Sequence, residues 1–503
     1  MKRILLLSVA FALLLSCHRS DDASVLYNDT LPPITEGYVG LQDGAFVLDG
    51  EEWFPKMLNY KAFIRQVGDS LEVVPADYYH GNSIEEHFDT IAAWDFNAIR
   101  LCLDVLDRDM DSAAMFRATH RVIQKADSAG LHVMLLTKTP FDPYWQSYTK
   151  GLLRQLADLP ALWAYDFFNE PLYFDPEPER DKMEAVRIVS KWRHWVRQYA
   201  PHQLFTIATA EPIEVFEWDP AMLPVDFIEM HTYHPLRVFS EMWWYSHYCG
   251  KPWIVGETGL PVDNDSVPYE WQEQFMWDTY RFAKVHGAIG YGWWEFQDNP
   301  QGVNFEAQYT GLSDCNGKRK PAVNLVWHLG KMCLGVGVDS DIVPPVNYYN
   351  MLAYSNIRLT GKVVDESNGR PVEGAVVRGW NEDWSVGMNT YTDSNGRFTL
   401  YSNDCNVHFE VSAPRMSKQK FDRRNVEYRH TGTGKKVSRE EFNSLPDRNR
   451  EYQQIDYRPY LNKDYEEIPF NTYYDSAHFN RYSIEGEMGT VKLNRELREV
   501  KGS

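Results

Sequence analysis

Short apolar runs alternate with longer segments of helical periodicity from Met57 to about Leu334. This alternation predicts parallel strands joined by crossover helices. The eight runs are KMLNYK, FNAIRLCLD, HVMLLTK, LWAYDFFNEP, LFTIATA, DFIEMHTYHP, PWIVGETGLP and GAIGYGWWEFQD. Eight such units match the usual size of a (β/α)8 barrel, ~250 residues, which we predict as an α/β domain over residues 37–346. A doubly wound open sheet is the alternative, but no glycine-rich phosphate loop follows the first run.

Two of the intervening segments show clear helix signals. Ser83 is followed three residues later by Glu86, the pattern of a capping box. A second helix is predicted from about Glu179 to Tyr199, because apolar residues recur there on one face. Those residues are Val186, Val189, Trp192 and Val196.

Residues 38–57 alternate apolar and polar positions around Asp43-Gly44 and Asp49-Gly50, two hairpin turn signals. We expect these hairpins to floor or flank the barrel.

The chain changes character after Asn347. RLTGKVVDESNGRPVEGAVVRGW and TYTDSNGRFTLYS are short strand patterns cut by Asn-Gly and Pro signals, which predicts a small all-β sandwich over residues 347–413. Residues 414–503 are interpreted as a long insertion or poorly ordered segment, with a possible last sandwich strand near 488–493. A wholly disordered tail is the alternative.

The composition limits the classes of partner and substrate that the protein can bind. The chain has 503 residues, 44% of them hydrophobic, and a formal net charge of −20. Nucleic acid and anionic lipid surfaces would repel such a chain, so we expect a neutral substrate and no nucleic acid. The sequence indicates no oligomeric state.

The N-terminus predicts export. Residues 1–17, MKRILLLSVAFALLLSC, join Lys2 and Arg3 to an apolar run too short for an ordinary membrane-spanning helix. Leu14 to Cys17 resembles a bacterial lipobox, which implies lipidation at Cys17 and a tether over residues 18–36. A plain secretory signal is the alternative.

The acidic residues after Cys17 resemble the export tags of Bacteroidetes surface lipoproteins. We therefore expect a lipid anchor in the cell envelope, at the outer membrane or cell surface of a Gram-negative bacterium. The other cysteines show no CxxC spacing, and neither a disulfide framework nor a zinc site is predicted. They are Cys102, Cys249, Cys315, Cys333 and Cys405.

Polar residues at the ends of the apolar runs identify the candidate chemistry, because active sites of (β/α)8 barrels lie at the C-terminal ends of the strands. The fourth run ends in Asn169-Glu170 and the seventh in Glu257, 257 − 170 = 87 residues later. That spacing is about 29 residues per unit, close to the repeat of the fold. We therefore expect both glutamates to face one cavity. The other run ends offer Arg100, Asp104, His231, Tyr233, Trp293, Trp294 and Glu295.

Two facing glutamates can hydrolyse a glycosidic bond. One carboxylic acid protonates the leaving oxygen while the second carboxylate attacks the anomeric carbon. The alternative is that Glu170 and Glu257 are structural ion-pair partners.

Asn169-Glu170-Pro171, His231-Thr232-Tyr233 and Gly256-Glu257 together resemble the motifs of clan A glycoside hydrolases, most nearly family 5, the cellulase and mannanase family. The resemblance covers roughly residues 37–334. It implies a retaining mechanism without cofactor or metal, with Glu170 as general acid/base and Glu257 as nucleophile. Retention predicts carboxyl groups about 5 to 5.5 Å apart.

The same resemblance implies further roles in the substrate site. Arg100 would hold the nucleophile ionised, Tyr233 would donate a hydrogen bond to it, and His231 would line the sugar site. Asn169 would bind the 2-hydroxyl. Trp294 would lie under the sugar, with Trp293 as the adjacent choice, because alternation lets only one of them face inward.

Each of these assignments has a simpler reading. Arg100 could pair with Asp104, and His231 could be a hydrogen-bonded core histidine. His231 with His234 could suggest a metal, but no third ligand is evident. Trp145, Trp243 and Trp244 could stack on outer sugars or be buried.

The match has a gap at strand three, where Thr137-Lys138-Thr139 stands in place of the histidine that many family 5 enzymes have. In the C-terminal third, Thr360 to Val364, Pro371 to Ala375 and Thr392 to Phe398 closely resemble the carboxypeptidase regulatory-like domain, a transthyretin-like sandwich common in Bacteroidetes surface proteins.

The sequence therefore predicts a lipid-anchored retaining β-glycosidase that hydrolyses a neutral β-linked polysaccharide, with β-mannan or β-glucan favoured. The alternatives are an exo-acting clan A glycosidase, similar to family 2, and a non-catalytic glycan-binding lipoprotein.

Overall fold

The computed structural model describes residues 26–27, 29–81, 83–105, 108–177, 179–233, 237–331, 357–380, 387–402, 408–444 and 483–495. The predicted signal sequence, Cys17, His234, Cys333 and Cys405 lie outside the described residues. Of the helices within these ranges, none has the length and apolar character needed to cross a bilayer.

Two tight turns shape the N-terminal hairpins. Strands β1 (Gly40–Gln42), β2 (Ala45–Leu48) and β3 (Glu51–Glu52) form an antiparallel sheet. Asp43 and Gly44 both have positive φ, 52° and 82°, as a two-residue hairpin turn requires. Phe46 packs edge-on against Trp163 and Phe227. These hairpins floor the barrel, since their core partners lie at the N-terminal ends of its strands.

Eight parallel strands close into a barrel, as predicted, because β12 pairs back onto β4. Seven of the eight apolar runs contain a whole strand, and the first, KMLNYK, forms the beginning of β4. The eight strands are β4 (Lys56–Val67), β6 (Ala98–Asp104), β7 (His132–Leu136), β8 (Leu162–Asn169), β9 (Leu204–Thr209), β10 (Ile228–His231), β11 (Trp253–Glu257) and β12 (Tyr291–Trp293). A further strand, β5 (Ser70–Pro75), extends β4 as an antiparallel hairpin.

The crossover segments are helical and pack on the outside of the barrel. Ser83 caps the first helix by accepting from the Glu86 amide at 3.1 Å. The helix predicted from Glu179 begins at Lys182, because Asp181 caps it there, and its predicted apolar face is buried. The helices are α1 (Ile84–Ala93), α2 (Ser112–Ser128), α3 (Pro143–Leu156), α4 (Pro171–Phe174), α5 (Lys182–Tyr199), α6 (Val238–Tyr248), α7 (Tyr269–Val285) and α8 (Phe305–Tyr309), with 3₁₀ helices at Pro212–Phe216 and Pro321–His328.

The C-terminal domain is a sandwich of two four-stranded sheets, ordered β16-β13-β20-β19 and β15-β14-β17-β18. Residues between the sheets, such as Leu359, Val377 and Phe409, form its core. The strands are β13 (Ile357–Asp365), β14 (Val376–Trp380), β15 (Gly387–Tyr391), β16 (Arg397–Ser402), β17 (His408–Ser412), β18 (Gln419–Asp422), β19 (Glu427–His430) and β20 (Ile484–Leu493), with a short helix α9 (Arg439–Asn443).

The expected insertion after residue 413 differs from the structure. Strands β18 and β19 and helix α9 all lie within residues 414–443, and they belong to the sandwich. The strand expected near 488–493 spans 484–493 and pairs in parallel with β13. The prediction missed β18 and β19 because QKFD and EYRH are four-residue strands without alternation.

The sandwich is joined to the barrel by buried polar contacts. The Lys182 ammonium on α5 donates to the carbonyls of Ala413 (3.1 Å) and Met416 (2.7 Å) and to the Asp219 carboxylate (3.0 Å). The Trp244 indole donates to the Gly374 carbonyl at 2.8 Å.

Candidate active site

A cavity of about 890 Å³ opens at the C-terminal ends of the barrel strands. Both glutamates singled out from the sequence line it, as do Arg100, Asn169, Tyr233 and Trp294. Its volume lies in the range of small-molecule sites.

Glu170 stands at a sharp reversal of the chain. Its amide donates to the Ala208 carbonyl at 2.9 Å, which ties it to the neighbouring strand β9. Its backbone is left-handed, with φ of 48°, a conformation that is uncommon outside glycine and is found at functional sites. Pro171 then begins α4 at the position where proline is favoured. The strand therefore ends by turning Glu170 into the mouth of the barrel.

Glu257 ends β11 and is buried. The Arg100 guanidinium donates to its Oε1, and the Tyr233 hydroxyl donates to its Oε2. Both oxygens of this carboxylate are thus held by a donor. One side-chain oxygen of Glu257 lies within 4.8 Å of one of Glu170.

Arg100 lies at the centre of a buried acidic network. Its guanidinium contacts Asp166 at 2.6 Å and Glu229 at 2.9 Å, in addition to Glu257. It also donates to Asn169 Oδ1 at 2.8 Å. The proposed pairing of Arg100 with Asp104 was therefore wrong.

Burial raises the pKa of Asp166 to about 6, with a further contribution from the Glu229 charge. One guanidinium thus contacts three carboxyl groups, of which those of Asp166 and Glu229 are fully buried and that of Glu257 lines the cavity.

His231 connects the two glutamates. Its Nδ1 lies 2.8 Å from Glu170 Oε1 and 3.5 Å from Glu257 Oε2, and its Nε2 lies 3.4 Å from Glu229 Oε1. Burial alone lowers its pKa, but the Glu257 charge and the bonds to Glu170 and Glu229 outweigh that effect and raise it to about 10. An imidazolium here would donate from both ring nitrogens.

The structure distinguishes the two adjacent tryptophans. Trp294 lines the cavity, and its ring lies 5.9 Å from the Lys61 ammonium. The Trp293 side chain is fully buried and donates to the Thr310 carbonyl at 2.9 Å. Trp293 was therefore wrong as a substrate contact, because its side chain points away from the cavity towards Phe275 of α7.

Trp145, Trp243 and Trp244, which could have stacked on outer sugars, pack against other parts of the protein. Trp145 and Trp244 are both buried, and Trp244 faces the sandwich. Trp243 is partly buried on α6 and stacks on His247. None of the three lines the cavity.

Thr137, Lys138 and Thr139, where the resemblance breaks, all line the cavity wall. Lys61 lines it from β4. Among the described residues, neither lysine ammonium has an ion-pair partner.

Glu170, His231 and Glu257 form the one described group of side chains with metal-ligand spacing. Each already has a partner inside the protein, since Arg100 and Tyr233 hold Glu257 and His231 contacts Glu170. Hydrogen bonding therefore accounts for the cluster, and the absence of a metal stays a prediction.

Sequence reasoning missed three buried members of the site. Asp166 and Glu229 lie inside β8 and β10, and Asn59 lies inside β4. Asn59 accepts from Arg100 at 3.1 Å and donates to the Gly256 carbonyl at 3.0 Å. A signal was present for Glu229, which stands two residues before His231 and so on the same face of the strand.

A fourth missed residue, Glu214, stabilises the chain reversal at Glu170. Its Oε1 accepts from the amides of Leu172 (3.0 Å) and Ala210 (3.2 Å). Burial raises its pKa to about 8. Glu214 thus connects α4, which follows Glu170, to the end of β9.

Comparisons with known proteins match the two domains separately. Residues 358–433 match the model of the carboxypeptidase regulatory-like domain, which confirms that resemblance and extends it past residue 413. No curated protein matches the sequence.

Among solved structures, the chain is similar to the exo-β-1,4-mannosidase Op5Man5 from Opitutaceae bacterium strain TAV5. The identity is 17% over 59% of this chain and 61% of that one, with a TM-score of 0.45. A GH5_18 protein from Streptomyces cattleya in complex with GlcNAc shows 18% identity over 57% and 79% of the chains, with a TM-score of 0.41. Bacteroides uniformis β-glucuronidase 2 shows 13% identity over 81% and 51%, with a TM-score of 0.42.

Proposed function

We propose that the protein is a retaining β-glycosidase with Glu170 as general acid/base and Glu257 as nucleophile. The observation that carries the proposal is the pair of carboxylates at the barrel mouth, in which one oxygen of Glu170 lies within 4.8 Å of one oxygen of Glu257. An inverting pair stands about 6.5–9.5 Å apart to admit a water, whereas a retaining pair stands closer.

The hydrogen bonds fit a division of labour between the two glutamates. Arg100 and Tyr233 each donate a hydrogen bond to Glu257 and orient its carboxylate towards the anomeric carbon. Glu170 gives its proton to the departing oxygen while Glu257 forms the glycosyl-enzyme bond. Glu170 then takes a proton from water, which attacks the same carbon and releases Glu257.

The favoured substrate is a neutral β-linked polysaccharide, with β-mannan or β-glucan first. Trp294 offers an aromatic face in the cavity, and Asn169 offers an amide beside Glu170. One observation favours a second class, glycans that carry uronic acids: Lys61 and Lys138 bring two ammonium groups to the cavity wall.

Product chromatography tests the activity on β-mannan, mixed-linkage β-glucan, cellulose, β-1,3-glucan, xylan and glucuronoxylan. We expect one polymer to yield oligosaccharides with the wild type and almost none with Glu257→Gln. The matched control is Glu270→Gln, which removes an exposed carboxylate in the first turn of α7 and should leave hydrolysis close to the wild-type level. Release of single sugars from chain ends would instead favour the exo-acting alternative.

Proton NMR of the first product distinguishes the mechanisms, since retention gives the β-anomer initially. An α-anomer would refute the double displacement. Tight binding of a polymer that is never cleaved would favour the glycan-binding alternative.

We also propose a lipid anchor at Cys17, supported by the lipobox-like sequence Leu14 to Cys17. The protein would then act at the outer membrane or cell surface. Detergent partition of the wild type and Cys17→Ala tests this: the variant should move to the aqueous phase, and equal partition would refute the anchor.

A further inference from the structure

A second cavity, of about 480 Å³, lies between the barrel and the sandwich. The barrel side is lined by α4 and the segment after it, together with Glu217 and Trp218, and the sandwich side by Arg378, Trp380 and Glu410. Helix α4 separates this cavity from the active site, because Phe174 lines the first cavity and Tyr173 lines the second. Four helical residues span only ~6 Å.

The sandwich wall presents a cation stacked on an aromatic ring. Arg378 and Trp380 are two residues apart on β14 and therefore share a face of the strand. The Arg378 guanidinium carbon lies 3.4 Å from the centre of the Trp380 ring. Val376, on the same face, packs into the barrel core, which shows that this face of the sheet is turned towards the barrel.

Arg378 differs from the other charged groups here, because no described residue accepts a hydrogen bond from its guanidinium. Glu410 lies directly opposite it on β17, yet the Glu410 carboxylate is 3.6 Å from the Lys420 ammonium instead. Asp175 pairs with Arg180 at 2.8 Å, and Glu217 pairs with Lys418. The guanidinium of Arg378 thus brings five N–H donors to a cavity in which the carboxylates already have ion-pair partners.

The ridge between the cavities is apolar and open to solvent. Tyr173 and Phe174 are 57% and 60% exposed, although both have large apolar rings. Aromatic rings with a few converging polar groups are the usual lining of a ligand site. Helix α4 follows Glu170 directly, so the second cavity adjoins the segment that carries the proposed acid/base.

We propose that the sandwich completes an accessory saccharide site, in which Trp380 and Arg378 bind distant sugar units of an oligosaccharide leaving group that crosses α4. This inference rests on the proposed function. It gives the C-terminal domain a part in substrate choice: long chains are bound at both cavities, and short glycosides at the first alone.

Kinetics with substrates of two lengths test the proposal. The long probes are mannohexaose, cellohexaose and xylohexaose, and the short probes are the nitrophenyl β-glycosides of the same sugars. In Trp380→Ala and Arg378→Gln, we expect kcat/KM on the cleaved hexasaccharide to fall about tenfold, equivalent to ~1.4 kcal/mol. The value on the short glycoside should stay within twofold of the wild type.

Controls separate a local effect from a damaged fold. Trp380→Phe keeps an aromatic face and should recover most of the long-chain activity. Arg358→Gln is the matched control on the opposite sheet, where Arg358 pairs with Glu485 at 3.3 Å, and it should leave both activities unchanged. Melting temperatures report whether each variant is folded.

Equal hexasaccharide kinetics in folded Trp380→Ala and the wild type would overturn the accessory site and leave the proposed function standing. An equal loss on long and short substrates would also overturn it. If the wild type neither cleaves nor binds any probe, the proposed function fails, and this inference fails with it.

Discussion

Removing the Lys182 ammonium should destabilise the junction between the two domains. Lys182 and Asp219 are 3% and 1% exposed, and their side chains meet at 3.0 Å. Lys182→Met would leave the Asp219 carboxylate buried without its cation, and the carbonyls of Ala413 and Met416 without this donor. Breaking a buried pair from one side costs about 3–5 kcal/mol.

Thermal unfolding measures this effect. At about 2–4 °C per kcal/mol for domains of 150–250 residues, the melting temperature should fall by about 6–20 °C. Lys182→Met combined with Asp219→Asn should recover part of the loss, because the uncompensated charge is gone. The matched control is Lys125→Met, which removes an exposed pair with Glu85 and should cost under about 1 kcal/mol.

A decrease below 2 °C in Lys182→Met would refute the reasoning, since it would show that water or a rearranged side chain replaces the ammonium. A decrease of the same size in Lys125→Met would refute it too.

Three further predictions concern the barrel. Glu170→Ala should slow hydrolysis of unactivated glycosides by about 10²–10⁴-fold but spare dinitrophenyl glycosides, and azide should restore turnover as the β-glycosyl azide; an α-azide would contradict retention. Tyr233→Phe removes one donor to Glu257 and should lower kcat/KM about 10–150-fold, the equivalent of ~1.5–3 kcal/mol for a charged hydrogen bond; unchanged kinetics would exclude that donor from catalysis. Glu214→Gln should change how the free energy of unfolding depends on pH. Folding raises the pKa of Glu214 from 4.5 to about 8, so the folded state binds one more proton than the unfolded state in that interval. The free energy of unfolding therefore falls as pH rises through it, by up to ~1.4 kcal/mol per pH unit. Urea midpoints from pH 5 to 8 should therefore fall less steeply in the variant, and parallel curves would exclude a protonated Glu214.

The barrel could be predicted because each strand carries its own signal. Every strand lies in or begins with a short apolar run, and Asn169-Glu170 and Glu257 stand at the ends of two strands, where packing alone does not favour carboxylates. The closed order of eight strands follows from those local patterns together with general rules of connection.

The other residues of the site could not be predicted from the sequence, for physical reasons. Asp166 lies within an apolar run, and its place beside Arg100 depends on the stagger between strands rather than on local sequence. Trp293 and Trp294 could not be distinguished, because β12 ends at Trp293 and alternation stops there.

The interface between the domains was missed for another reason. Its contacts join residues far apart in sequence, such as Lys182 with Ala413 and Trp244 with Gly374. Local periodicity carries no information on such docking.

The position of β20 sets the order in which the protein can be completed. This strand lies between β13 and β19, and Ile484 pairs with Ile357. During synthesis, all eight barrel strands emerge long before β20. The barrel can therefore fold while the sandwich still lacks an interior strand. A chain cut short before Ile484 would leave β13 and β19 with unpaired edges, which are templates for aggregation. Premature termination or proteolytic loss near this strand would therefore lower the solubility of the protein even while the barrel stayed folded.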